Sequence, residues 1–431
     1  MNDPRHSLDQ NKMSRLQIGV VAITTLLNAI DGLDVLSISF AAPGIAREWG
    51  TSQAALGVVM SMELIGMAIG SFLLGGVADR MGRRPTLLGC LIAMTIGMFL
   101  VPTASNTVEL SIWRVVVGLG IGGILACVNA VVAEFTNVKR RGLCISIMVI
   151  GYPLGGTFGG MLAAKLLETH DWRAIFYLGA IVTAVCIPLV FFFVPESIHW
   201  LCQKQPQGAL KKINATLARM RLPSVDELPP RDLATHRQSI AGIFSPALVA
   251  TTLVLVIAYF MHITTFYFIL KWSPKIVADM GFSPAMAGGV LVAANIGGAL
   301  GGATFGWLTT RIALKKLTVA IMFLTTLSVA LFGQASADLD KIKMLAAFAG
   351  FFGNAGISGL YSILAIAFPT EVRATGSGFV IGVGRAGAVI SPILAGVLLH
   401  AGAGLPVVAA SMGLGSLFAG LVLMFFTIRN A

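Results

Sequence analysis

The chain has 431 residues, of which 56% are apolar and only 11% charged, and its mean hydropathy is +0.86. Soluble domains carry about 25% charged residues, so a water-soluble globular chain is excluded and an integral membrane protein is indicated. The formal net charge of +11 would suggest nucleic acid in a soluble protein, but here the placement of the basic residues matters more than their sum, and no nucleic-acid partner is expected.

Residues 1–17 are polar and lack a short apolar core with a small-residue cleavage site, so no leader is expected to be removed. Apolar runs of spanning length then follow near 17–46, 54–78, 85–104, 107–135, 142–166 and 173–194, and again near 246–271, 284–309, 316–336, 342–368, 376–400 and 405–427. An all-α membrane fold of twelve transmembrane helices is expected. The interval 198–244 alone has soluble composition and is broken by Pro223, Pro229 and Pro230. It reads as a linker between a first six-helix bundle, 1–197, and a second, 245–431. Within it, 207–220 is expected to be either a basic helix on the membrane surface or a solvated connector.

Arg80, Arg83, Arg84, Lys139, Arg140, Arg141, Lys315, Lys316 and Arg373 fall in loops on the linker side. The opposite side holds few basic residues, among them Lys165, Arg173, Lys271 and Lys275. The positive-inside rule therefore puts the linker and both termini in the cytoplasm. The five cysteines are scattered and mostly inside apolar runs, so neither a disulfide framework nor a metal site is indicated, and no cofactor is expected. No phosphate-binding loop of the Walker type appears, so ATP drive is not supported.

Span one carries Asp31 and Asp34, three residues apart and therefore on neighbouring parts of one helix face, with Asn28 continuing the stripe one turn below. An ionisable group at mid-membrane costs at least ~2.5 kcal/mol, so it survives where it faces a cavity, a partner or a proton pathway. At ~1.5 Å per residue, Asp31 lies ~21 Å and Asp34 ~25 Å from the linker-side end of span one, Arg114 ~10 Å from the opposite end of span four, and Arg385 ~14 Å into span eleven. Glu63 and His262 also fall in the middle third. Six ionisable groups near one depth, drawn from both halves, imply a polar cavity between the bundles. Asp31 and Asp34 are the first candidates for a proton carrier and Glu63 the second. Arg114 and Arg385 are candidates to clamp an anion in bidentate fashion, or else are locked in permanent pairs with Asp34 or Glu63. Tyr259, His262 and Phe266 share a face of span seven, and Tyr152 and Tyr361 add polar-tipped rings. These could wall a flat substrate or simply pack. His262 could carry a proton or bond to a neighbouring helix.

The halves echo each other. The loop after span two, Gly75-Gly76-Val77-Ala78-Asp79-Arg80-Met81-Gly82-Arg83-Arg84, has a weaker counterpart at 306–311. The loop after span four, with Glu134, Lys139, Arg140 and Arg141, is echoed after span ten by Pro369-Thr370-Glu371-Val372-Arg373. Glu134 lies ~30 Å from Arg114 along span four, at the linker end, and suits a gate with Arg140 or Arg83. Asp79, Glu371 and Arg373 complete that expected gate.

The 75–84 loop resembles the signature loop of the major facilitator superfamily, and the resemblance extends from span one to span twelve. Trp113 to Gly122 in span four, Pro195-Glu196-Ser197 after span six and Pro369 to Gly376 after span ten agree with it. Asp31-Gly32-Leu33-Asp34 resembles the span-one signature of the aromatic acid:proton symporters. That family imports benzoate-type anions into bacteria, and its acids and arginine needed for transport match Asp31, Asp34, Arg114 and Glu134. The second signature loop departs from the pattern with Thr310 in place of an acid, and Glu63 is an addition to it. The resemblance implies a proton-coupled importer of a small aromatic carboxylate in the bacterial inner membrane, with both termini cytoplasmic, and not an enzyme. A carrier of the same superfamily for another organic anion or metabolite, or a drug or metabolite:proton exporter, is the alternative.

Overall fold

The computed structural model describes residues 3–230, 240–369 and 372–425. Among them, twelve helices are long and apolar enough to cross a membrane: Arg15–Trp49, Gln53–Met81, Arg83–Thr103, Thr107–Phe135, Arg141–Leu166, Arg173–Phe193, Val249–Asp279, Pro284–Leu308, Leu314–Gly333, Leu339–Ala367, Thr375–His400 and Leu405–Phe425, numbered here as spans one to twelve. With no water in hydrocarbon, each run must satisfy its backbone internally, and a helix does so. The ends of the spans follow local chemistry that repeats between the halves. Gly50 (φ 59°) and Gly281 (φ 98°) turn the chain after spans one and seven. Two residues later, Ser52 and Ser283 accept from the backbone N–H of Ala55 and Met286, capping spans two and eight. Asn106 and Asp338 cap spans four and ten in the same way.

Span seven departs from expectation. It continues from Val249 to Asp279 through Pro274, past the expected end at 271, because a proline inside a packed membrane helix is tolerated where neighbours satisfy the freed carbonyl. Lys271 and Lys275 are therefore helix residues, buried rather than set in a loop.

Packing follows the duplication pair by pair. Spans two and four, one and five, three and four, three and six, and one and six pack in the first bundle, and their counterparts eight and ten, seven and eleven, nine and ten, nine and twelve, and seven and twelve pack in the second. Small residues permit close approach. A side chain at Gly118 would run into the backbone of Glu63, so span four lies directly against span two at the level of Arg114.

The bundles meet mainly through spans two with eleven, five with eight and one with seven. These contacts lie in the halves of the spans remote from the linker, the far end. Ser61 donates to the Val389 carbonyl at 2.7 Å, Gly57 abuts the Pro392 carbonyl, Gly396 abuts that of Gln53, and Gly160 abuts Val292. At the linker end, the side-chain bonds given for the described residues, such as Arg83–Glu134 and Arg373–Phe368, lie within one bundle. The far end is closed.

The linker segment contains helices Ile198–Lys204 and Ala209–Met220. The second packs its apolar face on the protein and turns its basic face outward. Ile213 and Leu217 are fully buried against the protein, including span one, while Lys211, Lys212 and Arg219 face out.

Candidate substrate and proton site

Arg114 is fully buried inside the first bundle. It pairs with the Glu63 carboxylate, donates to the Asp34 carbonyl at 3.1 Å and to Ser37 Oγ at 3.2 Å, and stands over the Phe176 ring. Of the two alternatives for this arginine, the paired one is observed, and its carboxylate partner is Glu63. Asp34 contributes its backbone carbonyl, while its side chain turns toward Thr183 and Gly179 of span six. A second cation reaches Glu63 from the other bundle: Lys271 Nζ is 3.7 Å from it and donates to the Val35 carbonyl. Burying these charges is tolerable because they meet one another.

Arg385 is arranged differently. It lies within span eleven, whose backbone stays helical through it (φ −61°, ψ −17°), with its N–H bonded to the Ile381 carbonyl at 3.0 Å. Gly384 lets span eleven approach span seven closely, since a side chain there would meet the Tyr259 ring. The ion pairs of the region use Arg114 and Lys271 and leave Arg385 out. Its electrostatic neighbours are Tyr259, Tyr361, Tyr267 and Tyr152, four of the five tyrosines in the chain. Tyr259 and Tyr361 bond through their hydroxyls at 3.2 Å. The Tyr152 hydroxyl has no bonded partner. Tyr361, in the linker-side half of span ten, is 40% exposed, whereas Asp31, Glu63 and Lys271 are fully buried.

Asp31 lies across the bundle interface, within electrostatic reach of Arg385, and both its carboxylate oxygens lack a bonded partner. Asn28 is bonded to the Met148 carbonyl at 2.8 Å and stitches span one to span five. His262 is not part of the cavity wall. Its ring nitrogens bond to Ser416 Oγ at 2.9 Å and the Gly353 carbonyl at 2.8 Å, inside the second bundle. Phe266 packs on Gly353, next to Tyr267. The sequence pattern does not single out Tyr267 and Lys271. Their signal was a helical face running Tyr259, Ile263, Tyr267, Lys271, rotated from the one through His262.

The model of the family described as "Major Facilitator Superfamily" matches residues 24–338 and 253–431. The chain belongs to the major facilitator superfamily. Within this superfamily it is similar along nearly its whole length to the gallate transporter of Pseudomonas putida, with 30% identity over 98% of this chain and 94% of that protein. It is similar also to the 4-hydroxybenzoate transporter PcaK of P. putida (29%; 93% and 90%) and the benzoate transport protein of Acinetobacter baylyi (27%; 91% and 85%). The xylose transporter XylE of Escherichia coli, in its partially occluded inward-open conformation, shares the fold, with a TM-score of 0.74 at 17% identity over 96% of this chain and 98% of that one. The protein is a multi-pass membrane transporter of this superfamily and not an enzyme.

The signature loop of this facilitator is held by carboxylates. Arg83 pairs with Asp79 at 2.6 Å and with Glu134 at 3.1 Å. Glu196 accepts from the backbone N–H of Arg83 at 2.9 Å, capping span three. Burial pushes the Glu196 carboxyl up, against the pull of those bonds. Gly82, at φ 112°, lies where a side chain would strike Glu196. Of the expected gate residues, Asp79, Arg83 and Glu134 therefore come together within the first bundle. Arg140 is exposed, Arg373 donates to the Phe368 carbonyl at 3.2 Å, and Glu371 lies outside the described residues.

Proposed function

We propose that this facilitator imports a small aromatic carboxylate, of the benzoate or hydroxybenzoate type, together with protons across a bacterial inner membrane. The observation that carries the reading is Arg385, a guanidinium outside the ion-pair network whose electrostatic neighbours are four tyrosines. A planar carboxylate takes both prongs of such a fork, and rings beside it receive an aromatic body. The relatives named for gallate, 4-hydroxybenzoate and benzoate transport support that choice.

Arg385 clamps the carboxylate, with Tyr152, Tyr259, Tyr267 and Tyr361 around the ring. Arg114 ties the first bundle together. Asp31 carries the proton, since a carboxylate out of water and bonded to no cation is suited to exchange one, whereas Glu63 is already paired with Arg114 and Lys271. An anion arriving at Arg385 draws that positive charge away from Asp31 and favours the protonated acid, so anion and proton bind together. Residues 1–197 and 245–431 rock as units joined by 198–244. The basic residues of the linker side put the linker and both termini in the cytoplasm, and Asp79, Arg83 and Glu134 gate that end. Counterflow in proteoliposomes with benzoates, aliphatic dicarboxylates and sugars tests the reading. Exchange of benzoates alone is expected, and exchange of sugars or dicarboxylates without benzoates would overturn it.

A further inference from the structure

Lys271 belongs to the second bundle, yet everything its ammonium touches belongs to the first: the Val35 carbonyl of span one and the Glu63 carboxylate of span two. It is fully buried. Among the described residues, its pairing with Glu63 is the ion pair that crosses from one bundle to the other. It lies beside the Ser61–Val389 bond and the Gly57–Pro392 approach, where the bundles close the far end. One turn further along, Lys275 pairs with Asp279 of its own helix, at the rim.

We propose that Lys271 is the latch of the far end, a gating residue whose charge on Glu63 holds the bundles closed on the side away from the linker. When that end opens, span seven withdraws from spans one and two. Glu63 keeps Arg114 as its counter-ion, and the freed ammonium is taken up by water entering between the bundles. Both states then have every charge satisfied, as a gate that must reopen in each cycle requires. The closed state alone contains the bridge, so the bridge biases the equilibrium toward closure. A neutral residue at 271 removes the bias without orphaning Glu63, and the closed-to-open ratio should fall roughly tenfold or more, as for loss of a charge-assisted hydrogen bond.

Pulsed electron–electron distance measurements test this without any substrate, so their outcome is independent of what the carrier transports. Spin labels at Glu168→Cys and Asp340→Cys, both on exposed turns of the far end, report opening there, and labels at Lys139→Cys and Ile312→Cys report the linker end. The five native cysteines are buried. Lys271→Met should lengthen the far-end distances and shorten the linker-end ones. Lys271→Gln, which can still donate to Val35 but carries no charge, should do the same, and Lys271→Arg should keep the wild-type distribution. Wild-type distances in whichever neutral variant inserts would overturn the proposal, as would an Arg variant that shifts as far as the neutral ones.

Discussion

Replacing Arg114 by Gln separates a structural arginine from a substrate clamp. The guanidinium and the Glu63 carboxylate are both 0% exposed, so Arg114→Gln leaves Glu63 with Lys271 alone and removes the donors to Ser37 and the Asp34 carbonyl. Breaking one partner out of a buried pair costs about 3–5 kcal/mol. Glu63→Gln, which strands Arg114, should cost a similar amount. Because the two losses describe one interaction, the double variant should be less destabilised than their sum, by up to about 3 kcal/mol. Denaturant titration in mixed micelles, on wild type, both single variants and the double, gives the four free energies. Single variants as stable as wild type, with Arg114→Gln selectively losing substrate affinity, would refute the assignment and make Arg114 the clamp.

Other outcomes follow from the same geometry. Arg385→Lys keeps the charge but loses the fork, and should raise the apparent Kd for the carboxylate by about tenfold to a hundredfold, the equivalent of ~1.5–3 kcal/mol, at unchanged folded yield. His262→Gln should lower stability but leave proton-driven uptake per folded molecule intact, because both ring nitrogens are engaged inside the second bundle; loss of coupling at normal stability would contradict this. Gly384→Val should sharply reduce folded yield in size-exclusion profiles, since its side chain would meet Tyr259.

The twelve spans were legible because each is a long apolar run, and the repeated Gly-x-Ser turns at Gly50 and Gly281 mark the duplication in the sequence itself. Mid-depth charges could be placed by counting along helices; Glu63 and Arg114 pair, and Asp31 lies within electrostatic reach of Arg385. Which pairs with which was not legible, since partners on different spans depend on helix rotation and on close approaches such as that at Gly118. Lys271 shows the limit most clearly. A lysine near the end of an apolar run, followed by Pro274, reads as a loop boundary, and only the further run Ile276-Val277-Ala278 hints that the helix continues. Of the two alternatives for His262, the bond to neighbouring helices is observed, and helix rotation explains why it and Tyr267 face different ways. At 3.6 residues per turn His262 lies ~60° to one side of Tyr259, and Tyr267 lies ~80° to the other.

Proton coupling of aromatic-acid import is the central claim, and proteoliposomes loaded with a pH-sensitive dye test it most directly. With wild-type protein, adding a benzoate outside should acidify the lumen as the acid accumulates, beyond the change in protein-free liposomes. Asp31→Asn should abolish both proton entry and accumulation while leaving benzoate exchange measurable, because asparagine keeps the shape and cannot ionise. Accumulation of benzoate by Asp31→Asn with wild-type acidification would contradict the account.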